Sequence, residues 1–233
     1  MATEQNYKAG EEFTYIMRYG FIVGGEAKIT LSTKRFRGRE VYHAKAIAKT
    51  TGVTDKLFKV YDVFESYFDA KTCLPYKSVR DVSEGGYKFH NEVFFYHADS
   101  SVYSKRSGVH KVPGNIIDVI STLYYIRTYN HSTLKHGDTI KIYTYFDDSV
   151  FPFNFLYNGR ETIDTRVGKV RAMRFDPIVE PGRIFESKDD MTLWLSDDKN
   201  LIPLLVRFDM LVGSVKCEIS DYKNLKYPLK IEK

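Results

Sequence analysis

At 233 residues, with 43% hydrophobic and 28% charged side chains, the chain has the composition of a folded globule, which excludes general disorder. Its 35 basic and 30 acidic residues leave a formal charge of +5 but are mixed along the chain, and the densest basic stretch, Lys34 to Arg39, reads as a turn between strands. No nucleic-acid groove is expected from that pattern.

The first dozen residues, MATEQNYKAGEE, are polar and form no signal peptide; residues 1–9 read as a disordered tail. From Phe13 the run Phe13, Tyr15, Met17, Tyr19 places an apolar or aromatic side chain at every second position, the period of a strand with one buried face. The period breaks at Phe21-Ile22-Val23-Gly24-Gly25 and resumes with Ala27, Ile29 and Leu31, which implies a hairpin or a sharply bent, bulged strand. Further strands are expected over 41–50, 60–69, 75–82 and 88–97. Turns are expected at 84–87 (EGGY) and 97–101 (HADSS), where Gly, Asn or Asp suits a chain reversal. Over 115–129 the spacing changes: Ile116, Ile117, Val119, Ile120, Leu123, Tyr124 and Arg127 recur at threes and fours, with Asn115 as N-cap and Asp118 in the first turn. This is the one amphipathic helix expected, and it needs an apolar surface to cover. Strands follow over 139–146, 153–163, 169–175 and 191–195, with turns at 157–161 (YNGRE) and 196–200 (SDDKN).

Near the end, Val206, Phe208 and Met210 alternate up to a corner at Val212-Gly213-Ser214, and Val215, Cys217 and Ile219 alternate after it. Residues 207–219 thus repeat the plan of residues 18–29, and the two segments are expected to be bent edges of one curling sheet. The fold class is mainly β: a large antiparallel meander curled into a barrel or half-barrel, in one domain, with one amphipathic helix. Eighteen Tyr and 16 Phe against 7 Pro suit such a sheet, whose rings meet cross-strand neighbours.

Motifs for chemistry are scarce. Two cysteines allow one disulfide at most; Cys217 lies in phase with a core face and Cys73 sits in a loop-like stretch. The six histidines show no zinc spacing, and there is no P-loop, dinucleotide fingerprint or nucleophile elbow. Asp147-Asp148, Asp189-Asp190 and Asp197-Asp198 read as solvated turn carboxylates. No metal, cofactor or catalytic residue is therefore assigned, and an enzyme would have to be assembled from scattered residues. No stretch approaches the ~20 apolar residues of a membrane-spanning helix. Rings lining a curved sheet could instead enclose an apolar or amphipathic ligand, with Tyr15, Tyr19, Tyr124, Arg127, Trp194 and Arg207 as the candidate binding residues. An interior Arg127 or Arg207 would need an acidic partner or an anionic ligand; otherwise each is an exposed-face arginine with a buried stem.

Three segments, GEEFTYIMRYGFIVGGEAKI, IIDVISTLYYIRT and WLSDDKNLIPLLVRFDMLVGSVKCEI, resemble in that order the hallmarks of the DUF3108 family of bacterial exported proteins. The resemblance implies an antiparallel barrel-like fold and a place in the periplasm or at the outer membrane of a Gram-negative envelope. It transfers no catalytic residue. The expectation is a non-enzymatic envelope module whose hollow, partly closed by the helix, accepts a lipid or acyl chain. The alternative is a structural protein docking an envelope or polysaccharide-assembly partner.

Overall fold

The computed structural model describes residues 5–178, 191–209 and 213–232. Within them, fourteen strands form one antiparallel sheet. The first eight are β1 (Glu12–Tyr19), β2 (Ile22–Phe36), β3 (Arg39–Thr50), β4 (Tyr61–Phe68), β5 (Pro75–Glu84), β6 (Tyr87–Tyr96), β7 (Ser101–Ser104) and β8 (Gly108–Lys111). The other six are β9 (Thr139–Phe146), β10 (Ser149–Thr165), β11 (Gly168–Ile178), β12 (Met191–Ser196), β13 (Pro203–Asp209) and β14 (Ser214–Lys223). Each strand pairs with its neighbour in sequence, except that β1 pairs with β14 and the two edges are β8 and β9.

Both ends of the chain therefore enter the sheet at its centre, where β1 and β14 pair from Glu12↔Lys223 to Tyr19↔Val215. The two glycine corners lie side by side in mid-sheet and are not its edges. Their likeness follows from position, since each hairpin turns at the same end of the paired central strands. At the first corner the reversal falls at Gly20-Phe21, and Gly24 is the extra residue of a bulge, because Met17 pairs with Gly25 and Arg18 with Val23. A Cβ on Gly25 would lie 2.5 Å from the Lys49 carbonyl oxygen, so β2 can approach β3 here only with glycine. Of the second corner, 210–212 lie outside the described residues, as does Asp189-Asp190.

Period-two alternation decides what the sheet buries. Phe13 and Tyr15 sit opposite Ile29 and Ala27, and Phe155, Phe175, Leu193 and Leu195 form a cluster with Ile126 of the helix. Full burial of such a side chain stabilises by about 1.5–3 kcal/mol. Register shifts at Thr14/Tyr15, Tyr67/Phe68, Tyr157/Arg160 and Trp194/Leu195 add local twist. The stretch 157–161, expected as a turn, is one of these bulges inside β10, whose strand continues through it.

The curled sheet is not closed into a barrel. Its seam is filled by the segment after β8, where Ile117 donates to the Tyr143 carbonyl at 3.0 Å and accepts from Tyr145 at 2.8 Å, a short parallel bridge. Val112, Ile116 and Tyr145 pack there against Val93, Phe95 and Val102 from the far side. Asp147 and Asp148 form the β9–β10 turn, both with positive φ. They are not simply solvated: Asp147 accepts from Arg80 at 3.2 Å and Asp148 from Asn91 at 3.4 Å, across the seam.

Among the described residues there are two α-helices. The short α1 (Gly52–Leu57) joins β3 to β4 and was not legible in the spacing. The expected amphipathic helix is α2 (Val119–Thr128), capped by Asp118 and not by Asn115. Asn115 has φ 59°, outside helical space. Asp118 accepts from Ile120 and Ser121, and Ser121 accepts in return from the Asp118 N–H, closing a capping box. Nor are residues 5–9 a loose tail: Tyr7 is fully buried against Phe68 and Tyr124, and Asn6 donates to the Arg127 carbonyl. Both cysteines are free, Cys73 buried with the Tyr7 hydroxyl 2.8 Å from its sulfur, and Cys217 half-buried. Burial pushes the two thiols up to about 11 and about 12.

Candidate docking surface

The six candidate ligand residues do not converge on one hollow. Arg127 is wholly inside and has its acidic partner: Nη1 and Nη2 donate to Glu11 at 2.6 and 2.9 Å, and Nε donates to the Asn200 carbonyl at 3.0 Å. Burial alone would lower the guanidinium pKa, but the Glu11 carboxylate beside it more than offsets this and raises it. The rings of Tyr7, Phe13 and Tyr124 complete the arginine's surroundings at 5.1–5.6 Å. Tyr124 is buried and Tyr15 donates its hydroxyl to the Pro203 carbonyl at 3.0 Å; burial pushes the pKa of both far up.

Trp194 points away from Leu193 and Leu195, as alternation along β12 requires, and belongs to a different apolar cluster. Its indole donates to Glu161 at 2.6 Å. Arg207 stacks over that ring at 5.5 Å and donates to Asp209, an arginine of the outer face with a covered stem. The remaining candidate, Tyr19, stands at the end of β1, where its ring covers Gly213 and 44% of its surface stays exposed.

The concave side under α2 is filled by the protein itself. A space of about 10 Å³ remains beside Tyr124 and Arg127, and one of about 40 Å³ near Asp118 and Arg80. Such volumes hold a water or so, whereas roughly 150 Å³ is needed for a benzene. Where a hollow for an acyl chain was expected, Phe155, Phe175, Leu193 and Leu195 pack with Ile126 of α2. A larger, open groove of about 450 Å³ runs past the C-terminal end of α2. Its carboxylates serve the fold: Asp197 holds Arg160 and Arg171, and Asp198 caps the loop through the N–H groups of Asn200 and Leu201. Among the described residues no three His, Cys, Asp or Glu side chains gather as a metal site.

What stands out lies at one end of the sheet. The antiparallel register brings the β1–β2 turn, the β3–β4 connection, the β5–β6 turn and the β13–β14 turn to the same rim. Phe21 at the first turn is 94% exposed, and Ile22 and Val23 follow it outward. In α1, Val53 and Leu57 are 73% and 82% exposed, and the helix buries none of its residues. Phe58, Tyr61 and Tyr87 continue the band. The loops touch in sequence: Thr51 N–H donates to the Gly24 carbonyl at 3.1 Å, and Gly85 N–H donates to the Lys59 carbonyl at 2.7 Å. Gly85, with φ 57°, also leaves no room for a side chain, since a Cβ would stand 2.7 Å from the Phe58 ring.

Of the six candidate ligand residues, Tyr19 stands on this rim. The available signal was the out-of-phase run Phe21-Ile22-Val23, three apolar residues where a turn should be polar, and the apolar Val53, Leu57 and Phe58 within a stretch too short to read as a core helix. Isolated exposed hydrophobics are ordinary, but a contiguous set marks an interaction surface.

A family model described as "Protein of unknown function (DUF3108)" matches residues 14–220. No curated protein matches the chain. Among solved structures, the chain resembles a β-barrel-like protein of domain of unknown function DUF1849 from Brucella abortus. The two are 8% identical with a TM-score of 0.59, over 93% of this chain and 98% of that one. A lipoprotein candidate from Parabacteroides distasonis aligns at 9% identity and TM-score 0.43, over 94% and 100% of the respective chains. At such identity the first likeness shows the fold alone, a barrel-like curled sheet, and the second carries no argument.

Proposed function

The chain belongs to the DUF3108 family, and from that premise we propose that it is a non-enzymatic module of the bacterial cell envelope that meets an apolar or amphipathic envelope molecule at its exposed rim. One observation carries this reading: the exposed apolar residues Phe21, Val53, Leu57 and Phe58 on neighbouring loops of one rim. The place in the envelope rests on what the resemblance to the DUF3108 proteins implies. The small spaces left on the concave side, about 10 and 40 Å³, support a ligand met at the surface and not one enclosed under α2.

Hydrogen exchange with and without the amphiphile dodecylphosphocholine tests the reading. Expected is added protection over 19–24, 52–61 and 85–88, with none in the strand segments that hold Phe155 and Leu193. Protection confined to those interior strands would return the ligand to the hollow and overturn the proposal.

A further inference from the structure

Resting on that reading, we infer that the rim's occupant is the surface of an anionic lipid bilayer, into which the loop tips insert side by side. The first ground is shape. Phe21 stands on the β1–β2 turn and Val53 and Leu57 on α1, at the same end of the strands, so the two tips can enter an interfacial plane together while the sheet stays above it. Apolar tips ringed by tyrosines suit the headgroup boundary, where Tyr19, Tyr61 and Tyr87 can keep their hydroxyls in the wet layer.

The second ground is charge. Lys56 and Lys59 flank Leu57 and Phe58, and Lys88 follows Tyr87; all three are exposed, and none has a carboxylate within ion-pair distance among the described residues. The rim's carboxylates are paired or less exposed than these lysines: Glu26 pairs with Lys49 at 2.8 Å and Glu218 with Arg18, Asp62 is buried, and Asp55 and Glu84 are half-buried. Protein–protein contact surfaces are depleted in lysine, whereas anionic headgroups favour it. Free lysines among exposed aromatic and aliphatic tips therefore fit a lipid surface better than a folded partner. No helix among the described residues is long and apolar enough to cross the membrane, so the contact proposed is interfacial.

The test uses the purified chain in flotation with vesicles of phosphatidylethanolamine and phosphatidylglycerol, against vesicles of phosphatidylcholine alone. The expected result is co-flotation with the anionic vesicles that weakens with salt. F21S combined with L57S should reduce the affinity at least ten-fold. K56E combined with K59E should remove the preference for phosphatidylglycerol, at about five-fold per lysine. Y143S, at an exposed tyrosine of β9 away from the rim, is the control and should change nothing. Circular dichroism melts establish that each variant is folded. An F21W reporter should shift to the blue and be quenched by brominated lipid.

Absence of flotation with the anionic vesicles, or equal binding by the folded F21S/L57S variant, overturns the inference. If rim protection by dodecylphosphocholine is seen while vesicles fail, the rim reading stands and its occupant is a single amphiphile or a protein. If neither is seen, both fall.

Discussion

Arg127 shows how one charged side chain can order several parts of a fold. It reaches from α2 to Glu11 just before β1 and to the Asn200 carbonyl after β12, with Tyr7 and Phe13 against it. Two charges with side-chain exposures of 1% and 0% have given up their water, so their attraction is largely spent on desolvation. Removing one partner strands the other. Glu11→Leu should therefore lower stability by about 3–5 kcal/mol, and Arg127→Met by a similar amount. Glu11→Leu with Arg127→Met should recover most of the loss, because a matched apolar pair leaves no buried charge. Urea unfolding of the four proteins reads the coupling directly; simple additivity of the two losses would show that the pair is not the unit described. From the sequence, an acidic partner for an interior Arg127 could be anticipated. That it would be Glu11 could not, because the partner comes from a segment that reads as polar tail and boundary, and only packing brings it in.

Elements were legible to the degree that their side-chain period was uninterrupted. β9 emerges as expected from Ile140, Ile142 and Thr144 facing inward, and α2 from its threes and fours. Its start was misplaced because Asn115 and Asp118 are both good caps, and the choice between them is made by Ser121 and by Ser66, which donates to Asp118 from β4 at 2.5 Å. α1 has no buried face, so no period announces it, and the same lack is what makes it part of the rim. The cap carries a pH signature. Burial raises the Asp118 carboxyl from 3.8 to about 6, against the lowering effect of the hydrogen bonds from Ser66, Ser121 and Ile120. The folded state thus holds the proton more tightly, and the group's contribution is fully present below pH 3.8 and lost as the pH rises through 6. Asp118→Asn keeps a cap-competent oxygen and removes the titration. The wild type should lose about 1–3 kcal/mol relative to this variant between pH 4 and pH 7.5; parallel stability curves would count against the buried carboxyl. On the rim, Gly85→Ala should cost about 1–3 kcal/mol through its positive φ, and Phe58→Ala in the same background should relieve only the part due to contact with the ring.

At the scale of the molecule, a meander with its ends paired at the centre is strongest where the chain is most distant in sequence. β1 and β14 join residues from opposite ends, a pairing that must wait for the rest of the sheet and implies slow folding. The edges are weaker by construction. β7 and β8 are four residues long, and across the seam between them and β9 run a parallel bridge, the Arg80–Asp147 and Asn91–Asp148 contacts and the rings of Phe95 and Tyr145. Opening the seam leaves the central pairing intact, so the sheet should unfold locally from its edges inward. Native-state hydrogen exchange should then place the amides of β7, β8 and β9 in a less protected group than those of β1, β2 and β14. Tyr145→Ala removes the ring that bridges the seam and should speed exchange in the first group by about 10–100-fold, equivalent to roughly 1.4–2.7 kcal/mol. It should leave sub-global exchange at the centre unchanged. A uniform acceleration across all fourteen strands would mean that the curl opens only as a whole, with the seam contributing to the same cooperative unit as the paired termini.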